Sequence, residues 1–322
     1  MTIDSKERIL GFDLARVISM VYMVLYHSLG YGNPLYTNSL IRTGAYLSLS
    51  IFTFQSGFLL ASRCDLNKVR FFDFMKKRLL RIYPLFVISS MLLCVISFNT
   101  WSSTAKAWLG ISPFWGPTPR TMWYVGVLLF FYSITLFWGK GGIRSQFLKF
   151  IIIMGVVSGI HFIFHSVDPR VFFYSSVYFV SIIIGQYFKE RFFSLVTSWQ
   201  FIIIISLLFI SIAIVQLFNK SLLLTYGNSV LGMLSFFGIY ICIGEKGKTS
   251  EKFVSVALSL SYATFCLYLF HREVFAFLLK LWQPDNPYYL FFYIGVLGLI
   301  ITYPIAYYIQ KGYDTIIQKI NI

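Results

Sequence analysis

The run GFDLARVISMVYMVLYHS, residues 11–28, decides the fold class. It is almost entirely apolar, and it is close to the roughly 20 residues that a helix needs to cross a lipid bilayer. Three ionisable side chains interrupt it: Asp13, Arg16 and His27. Because charged groups are costly at membrane depth, they are expected to face one another or a polar cavity. The run therefore predicts a membrane-spanning helix with one polar stripe.

Apolar runs of similar length recur along the chain and predict about ten spans. The proline-rich break at residues 112–119 and the break at residues 283–287 cannot continue helices, so both are predicted loops. We predict an all-α polytopic membrane bundle of about ten transmembrane helices, in which residues 1–322 form a single transmembrane domain. The predicted spans are centred near Met20, Phe52, Ser90, Phe130, Val156, Tyr178, Ile205, Met233, Cys266 and Gly298.

The composition excludes a soluble globular protein. Of the 322 residues, 57% are hydrophobic and only 12% are charged, and the mean hydropathy is +0.73. Soluble domains carry about 25% charged residues. The net charge of +15 is that of many nucleic-acid-binding proteins, but here the basic residues lie in short loops between apolar runs, where they set orientation in the bilayer. We expect membrane lipids as partners and no nucleic acid.

The distribution of basic residues predicts that both termini are cytoplasmic. With that orientation, 19 of the 27 Lys and Arg residues fall on the cytoplasmic side, and one, Arg16, lies within the first span. This excess follows the positive-inside rule. The seven that would lie outside are Arg42, Lys106, Arg120, Arg170, Lys220, Arg272 and Lys280.

Metal and disulfide chemistry are not expected. The four cysteines show no Cys-x-x-Cys spacing. His161 and His165 are four residues apart and share a helical face, but no cysteine or well-placed carboxylate completes a metal site. We interpret this pair as structural.

Helical geometry places the charged residues of the first span on one stripe. Arg16 and His27 are eleven residues apart, which is about 20° past three full turns and a rise of about 16 Å. Asp13 lies about 60° from Arg16, on the same stripe. A neutral histidine there can take the proton of an attacking hydroxyl. The alternative is that Asp13 and Arg16 form an i,i+3 ion pair and that His27 is an interfacial residue.

A basic segment follows the second span. Seven Lys and Arg residues lie between Arg63 and Arg81, among them Lys77 and Arg78. Arg78 and Arg81 share a helical face, and guanidinium groups suit bidentate contacts to phosphate. Such a segment can bind the phosphates of an acyl-CoA, or it can anchor the topology and bind anionic lipid headgroups.

Four local patterns, in this order, resemble the acyltransferase-3 family of membrane-bound acyltransferases, which modify surface polysaccharides and other acceptors. Order and spacing agree to about residue 275, and Met122-Trp123-Tyr124 is similar to the start of a later family span, though less specifically. Two positions depart from the family pattern, Thr264 and Glu273. The four patterns are Asp13 with Arg16 and His27, the aromatic stretch around Ser56-Gly57-Phe58, Arg78-Leu79-Leu80-Arg81-Ile82-Tyr83-Pro84, and Tyr268-Leu269-Phe270-His271.

The resemblance implies an acyl-CoA-dependent O-acyltransferase of the bacterial cytoplasmic membrane. It implies that His27 is the essential histidine, that Arg16 is its partner on the donor path, with Asp13 beside it, and that Arg78 and Arg81, next to Lys77, act at the CoA side. Ser56, Tyr83, Trp123 and His271 are further candidates.

The expected reaction moves an acyl group, acetyl by family default, from cytoplasmic acetyl-CoA to a hydroxyl of a surface or lipid-linked carbohydrate. His27 acts in it either as general base or as acyl carrier. The donor would reach His27 by way of Arg78, Arg81 and Arg16, and a homo-oligomer is compatible with the sequence. The rival interpretation is an exporter of a polysaccharide or lipid-linked sugar, in which the intramembrane charges line a pathway without chemistry.

Overall fold

The structure is a computed structural model that describes residues 9–96, 98–116, 122–246 and 250–319. Within these ranges every regular element is helical and no strand occurs. Part of the predicted break at residues 112–119 lies outside the described residues. So do four of the basic residues used to predict the orientation: Lys6, Arg8, Arg120 and Lys248.

The helices are separated by short connections. A 3₁₀ turn, Pro34–Thr37, follows α1, and a π-helical segment, Phe291–Leu297, joins α13 to α14. The α-helices are α1 (Leu10–Leu29), α2 (Ser39–Arg63), α3 (Phe71–Val95), α4 (Trp101–Trp108), α5 (Trp123–Gly139), α6 (Ile143–Phe164), α7 (Pro169–Tyr187), α8 (Lys189–Val196), α9 (Trp199–Phe218), α10 (Leu222–Lys246), α11 (Glu251–Tyr262), α12 (Thr264–Leu281), α13 (Pro287–Leu290) and α14 (Gly298–Lys319).

The predicted all-α membrane bundle is confirmed. Seven described helices, counting α13 through α14 as one, are long and apolar enough to cross a bilayer, and the number rises to nine if two bent helix pairs each count as one span. The shorter apolar helix α5 occupies the remaining predicted position. Each of the ten predicted span centres lies inside one of these helices.

The chain divides into two compact units. The first comprises Met1–Phe52 and Glu190–Asp314, and the second comprises Thr53–Lys189 and Thr315–Ile322. The boundary between them falls inside α2. The prediction of one transmembrane domain over residues 1–322 stays a prediction.

In the first unit, α1 packs against α10, α11, α12 and the π-helical segment. Gly11 permits the closest approach, because a Cβ atom there would lie only 2.6 Å from Cα of Ile241 in α10. At the other end of α1, a Cβ on Gly295 of the π-helical segment would meet the Ser28 hydroxyl at 2.5 Å. Small residues thus allow neighbouring segments to pack closely against α1 at both of its ends, as is usual between membrane helices.

The ninth predicted span is broken in the structure. The sequence predicts one continuous span around Cys266, but α11 ends at Tyr262 and α12 begins at Thr264, with a bend of 60° between them. The Thr264 hydroxyl donates a hydrogen bond to the carbonyl oxygen of Ser261 across the break. No Pro or Gly marks the bend, so no local signal predicts it.

The second unit is organised around buried aromatic side chains of α5 and α7. Phe131 and Tyr178 stack with ring centroids 4.7 Å apart, and the Tyr178 hydroxyl shares a hydrogen bond of 2.7 Å with Thr135. Gly57 of α2 lies against α7, where a Cβ would meet the Ser181 hydroxyl at 2.0 Å. Most side chains of α6 are exposed, as expected of a helix that faces lipid.

Candidate functional site

The centre of the site is a pair of buried histidines from opposite ends of the chain. His27, in the last turn of α1, and His271, in the middle of α12, are joined by a hydrogen bond of 2.9 Å between Nδ1 of His27 and Nε2 of His271. Their rings are nearly parallel, at 8°, with centroids 5.0 Å apart. His27 is 7% exposed and His271 is fully buried. A histidine pair with this burial differs from the interfacial histidine that was the alternative for His27.

The second nitrogen of His271 is bound to its own helix. Nδ1 of His271 is 2.8 Å from the carbonyl oxygen of Tyr268, one turn earlier in α12. The Phe275 ring packs edge-on against the His271 ring, with centroids 5.4 Å apart. His271 is therefore fixed by hydrogen bonds at both nitrogens and by packing on its side.

The other charged residues of the polar stripe lie at the opposite end of α1. Asp13 is 5% exposed, and its Oδ1 accepts a hydrogen bond from the Ser261 hydroxyl at the end of α11. The Arg16 guanidinium is 4.0 Å from the same oxygen, and the Arg16 side chain is 29% exposed. The i,i+3 ion pair considered as an alternative is thus formed, and Ser261 ties it to the neighbouring helix.

The stripe of α1 faces the broken span along its length. Asp13 meets Ser261 and His27 meets His271, so α1 and the α11–α12 span run in the same direction. The predicted topology requires this, because a first and a ninth span cross the bilayer in the same sense. The three residues of the stripe therefore lie along one helix pair.

Aromatic and basic groups continue from the histidine pair past the end of α1. Phe275 packs edge-on against the Tyr31 ring, with centroids 6.1 Å apart. The Arg272 guanidinium lies over the Tyr31 ring, 5.5 Å from the ring centroid, and the Arg272 residue is 8% exposed. Tyr31 is thus linked to His271 through a single side chain.

An open cavity of about 450 Å³ begins at Tyr31. The side chains of Gln283 and Asp285, in the loop between α12 and α13, provide its polar groups. Pro287, one of the lining residues, accepts a hydrogen bond of 3.2 Å at its carbonyl oxygen from the Asn33 side chain. The remaining lining residues are Gly32, Pro284 and Leu290.

The basic segment lies in the second unit, where α3 carries its later residues. Arg78 is held over two aromatic rings, 5.5 Å from the Phe74 centroid and 5.6 Å from the Tyr132 centroid. Lys77 and Arg81 are exposed. Earlier in the segment, Lys68 forms an ion pair of 3.3 Å with Asp65, and its hydrogen bond lowers the pKa of that carboxyl.

The remaining motif residues have mainly local contacts. The Tyr83 hydroxyl donates a hydrogen bond of 3.0 Å to the carbonyl oxygen of Trp108. Trp123 is 8% exposed and lies under the Arg170 guanidinium, 3.7 Å from its ring centroid. Ser56 is half-buried in α2. The contacts of Tyr83 and Trp123 lie within the second unit.

His161 and His165 are at the end of α6, with ring centroids 6.2 Å apart. His165 ends the helix in the left-handed conformation, with φ of 49°. Among the described residues, no group of three or more His, Cys, Asp or Glu side chains could hold a metal ion. The interpretation of the pair as structural stays a prediction.

Three residues that contact the site residues were not predicted from the sequence: Ser261, Arg272 and Tyr31. Ser261, the partner of Asp13, sits in a segment with no motif of its own. Arg272 directly follows His271, and Tyr31 lies two residues past the end of α1, so neither is placed by the three- or four-residue spacing that identifies neighbours on one helical face. The hydrogen bond between His27 and His271 joins residues 244 apart, which no local pattern predicts.

Comparison with known proteins gives one match. No curated protein and no solved structure matches the chain. The family model described as an acyltransferase domain, Acyl_transf_3, matches residues 9–311, which include His27, the basic segment and His271. The chain therefore belongs to the acyltransferase-3 family and is a membrane acyltransferase.

Proposed function

We propose that the protein transfers an acyl group, acetyl in the first instance, from cytoplasmic acetyl-CoA to a hydroxyl of a surface or lipid-linked carbohydrate. The enzyme would reside in the bacterial cytoplasmic membrane. The observation that carries the proposal is the buried pair of His27 and His271, which gives His27 a fixed orientation within a membrane bundle of acyltransferase sequence. A fixed imidazole is suited to take the proton of an attacking hydroxyl.

His27 is the group that acts on the acceptor. Its Nδ1 is bound to His271, and no hydrogen-bond partner of its Nε2 occurs among the described residues. Because His27 retains 7% exposure, Nε2 is the nitrogen available to a hydroxyl or an acyl carbon. Either a general base or an acyl carrier requires such a nitrogen.

Arg16 and Asp13 serve the donor end of the same stripe. Asp13 is fixed by Ser261, and it holds Arg16 at an ion-pair distance. Because Arg16 keeps 29% of its side chain exposed, its guanidinium can still contact a passing amide or phosphate oxygen. We assign Arg16 to donor contact and Asp13 to the positioning of Arg16.

The phosphates of the donor are assigned to Arg78, Arg81 and Lys77. Lys77 and Arg81 are exposed and can each donate to phosphate oxygens. Arg78 is oriented by the rings of Phe74 and Tyr132, so less side-chain freedom is lost when it binds. Ion pairing of Lys68 with Asp65 makes that lysine a weaker candidate.

The open cavity beside Tyr31 is assigned to the acceptor. Carbohydrates present many hydroxyls and apolar ring faces, and the cavity offers a tyrosine ring together with an amide at Gln283 and a carboxylate at Asp285. Tyr31 is also the lining residue that connects through Phe275 to the histidine pair. An acceptor in this cavity would approach from the His27 end of α1.

The test is acyl incorporation. Purified protein is incubated with acetyl-CoA carrying a labelled acetyl group and with a crude cell-envelope fraction, and label is measured in the glycans and lipid-linked sugars by mass spectrometry. The proposal predicts an acetyl-sized mass increase and an equal amount of free CoA. Export of a glycan without release of CoA would instead establish the rival transporter function.

A further inference from the structure

Three groups form a hydrogen-bonded chain that ends at the free nitrogen of His27. The carbonyl oxygen of Tyr268 is 2.8 Å from Nδ1 of His271, and Nε2 of His271 is 2.9 Å from Nδ1 of His27. The proton positions in this chain follow from its fixed end. A backbone carbonyl oxygen only accepts hydrogen bonds.

Nδ1 of His271 must therefore carry the proton that it shares with Tyr268. A neutral imidazole has one N–H and one acceptor nitrogen, so Nε2 of neutral His271 is an acceptor. Nδ1 of His27 must then donate to it, which places the single proton of neutral His27 on Nδ1. The remaining nitrogen of His27, Nε2, is left with its lone pair.

We propose that His271 is a positioning residue that holds His27 in the tautomer protonated at Nδ1, so that Nε2 of His27 is the atom that takes the acceptor proton. This rests on the proposed function for the role of Nε2, whereas the tautomer itself can be measured without any reaction. In metal sites and catalytic triads, too, the hydrogen bond at one ring nitrogen determines which form the other nitrogen takes.

The tautomer determines where the acceptor proton goes when His27 acts as the general base. As the acceptor oxygen attacks the thioester carbon, its proton moves to Nε2 of His27, and the new C–O bond forms. The C–S bond then breaks, and the proton passes from Nε2 to the departing sulfur, which leaves as the free CoA thiol. In the opposite tautomer Nε2 already carries a proton and could not accept one.

The surroundings hold His271 in the required orientation. It is fully buried, its ring lies at 8° to the His27 ring, and Phe275 packs edge-on against it. The hydrogen bond to Tyr268 joins residues one turn apart in α12, so the helix itself sets the direction of the ring. A rotated His271 ring would lose both hydrogen bonds.

Two substitutions separate this role from simple packing. His271→Phe keeps an aromatic ring against Phe275 but removes the acceptor for His27. His271→Gln places a side-chain amide where Nε2 was, and its oxygen can accept from Nδ1 of His27. Because the chain contains only four histidines, the tautomer of His27 can be read from ¹⁵N-histidine NMR spectra of the full protein in detergent, with His27→Gln used to assign the signal.

We expect the wild-type His27 to be protonated at Nδ1, and His271→Phe to lose that tautomer and to lower kcat by about 100-fold or more, within the range of general-base contributions. If the spectrum of His271→Gln shows His27 protonated at Nδ1, kcat should stay above that of His271→Phe; if it shows that this tautomer is lost, kcat should fall as it does in His271→Phe. Protonation of wild-type His27 at Nε2, or a folded His271→Phe protein with at least a third of wild-type kcat, would overturn the proposal. If His271→Phe does not fold, the wild-type and His271→Gln spectra decide. Failure of the acyltransferase function itself would show separately, as an absence of transfer by the wild type.

Discussion

At the scale of single residues, Asp13 is held by contacts of different kinds. It accepts a hydrogen bond from Ser261 and lies at an ion-pair distance from Arg16. We expect Asp13→Ala to lower the free energy of unfolding by about 1–3 kcal/mol, because a buried hydroxyl and a half-buried guanidinium lose an acceptor. Asp13→Asn keeps an oxygen for Ser261 and should cost less. Thermal unfolding in detergent compares the two, and equal losses would argue against the Ser261 contact.

The exposed basic residues of α3 test the donor assignment. Lys77→Ala and Arg81→Ala should each raise the KM for acetyl-CoA several-fold and leave the unfolding temperature unchanged, because an exposed cation adds little to stability. Higher salt should reduce the difference from wild type, since screening weakens contacts between exposed charges. Arg144→Ala, an exposed cation at the start of α6, is the matched control and should leave KM unchanged. If Lys77→Ala and Arg81→Ala had the same KM for acetyl-CoA as Arg144→Ala, α3 would not be part of the donor site.

Tyr31 and Asp285 test the acceptor assignment. Asp285→Asn should raise the KM for the acceptor with little change in the KM for acetyl-CoA, because the carboxylate lines the open cavity and not the basic segment. Tyr31→Phe keeps the ring that contacts Phe275 and should preserve kcat more than Tyr31→Ala does. Initial rates at varied acceptor and donor concentrations provide both constants. A change confined to the KM for acetyl-CoA would contradict the assignment.

At the scale of elements, the position of α1 depends on backbone contact with α10. Gly11→Val should lower the free energy of unfolding by about 1–3 kcal/mol, because its side chain would meet the backbone at Ile241 and cannot be accommodated by a rotamer change. Gly159→Val is the control, since a Cβ there meets nothing within 4 Å. Thermal unfolding of both variants in the same detergent tests this. Equal destabilisation would mean that the two helices tolerate separation.

The helices show what the sequence could and could not predict. Hydropathy located all ten span centres, because the cost of unsatisfied backbone groups in lipid leaves few other solutions. It did not predict the break at Ala263, because no helix-breaking residue marks the bend. The stripe of Asp13, Arg16 and His27 was predictable from helical periodicity alone. Its pairing with Ser261 and His271 was not, since it depends on which helix lies opposite.

At the scale of the whole molecule, the excess of basic residues on one side predicts that both termini are cytoplasmic. A reporter that is active only outside the membrane should be silent when fused after Ile322. The same reporter fused to a chain ending at Lys220, in the loop between α9 and α10, should be active. The opposite pattern would invert the orientation and would place the His27 end of α1 on the cytoplasmic side.

We infer that His27 is the residue through which the protein transfers acyl groups. The measurement is the release of CoA from acetyl-CoA in the presence of a cell-envelope acceptor. It is made on His27→Ala and on His161→Ala, which is the control. Thermal unfolding gives the folded fraction of each variant. We predict that His161→Ala releases CoA at close to the wild-type rate and that His27→Ala, while folded, is slower by at least about 100-fold. A folded His27→Ala protein that releases CoA as fast as His161→Ala would show that the transfer does not depend on His27.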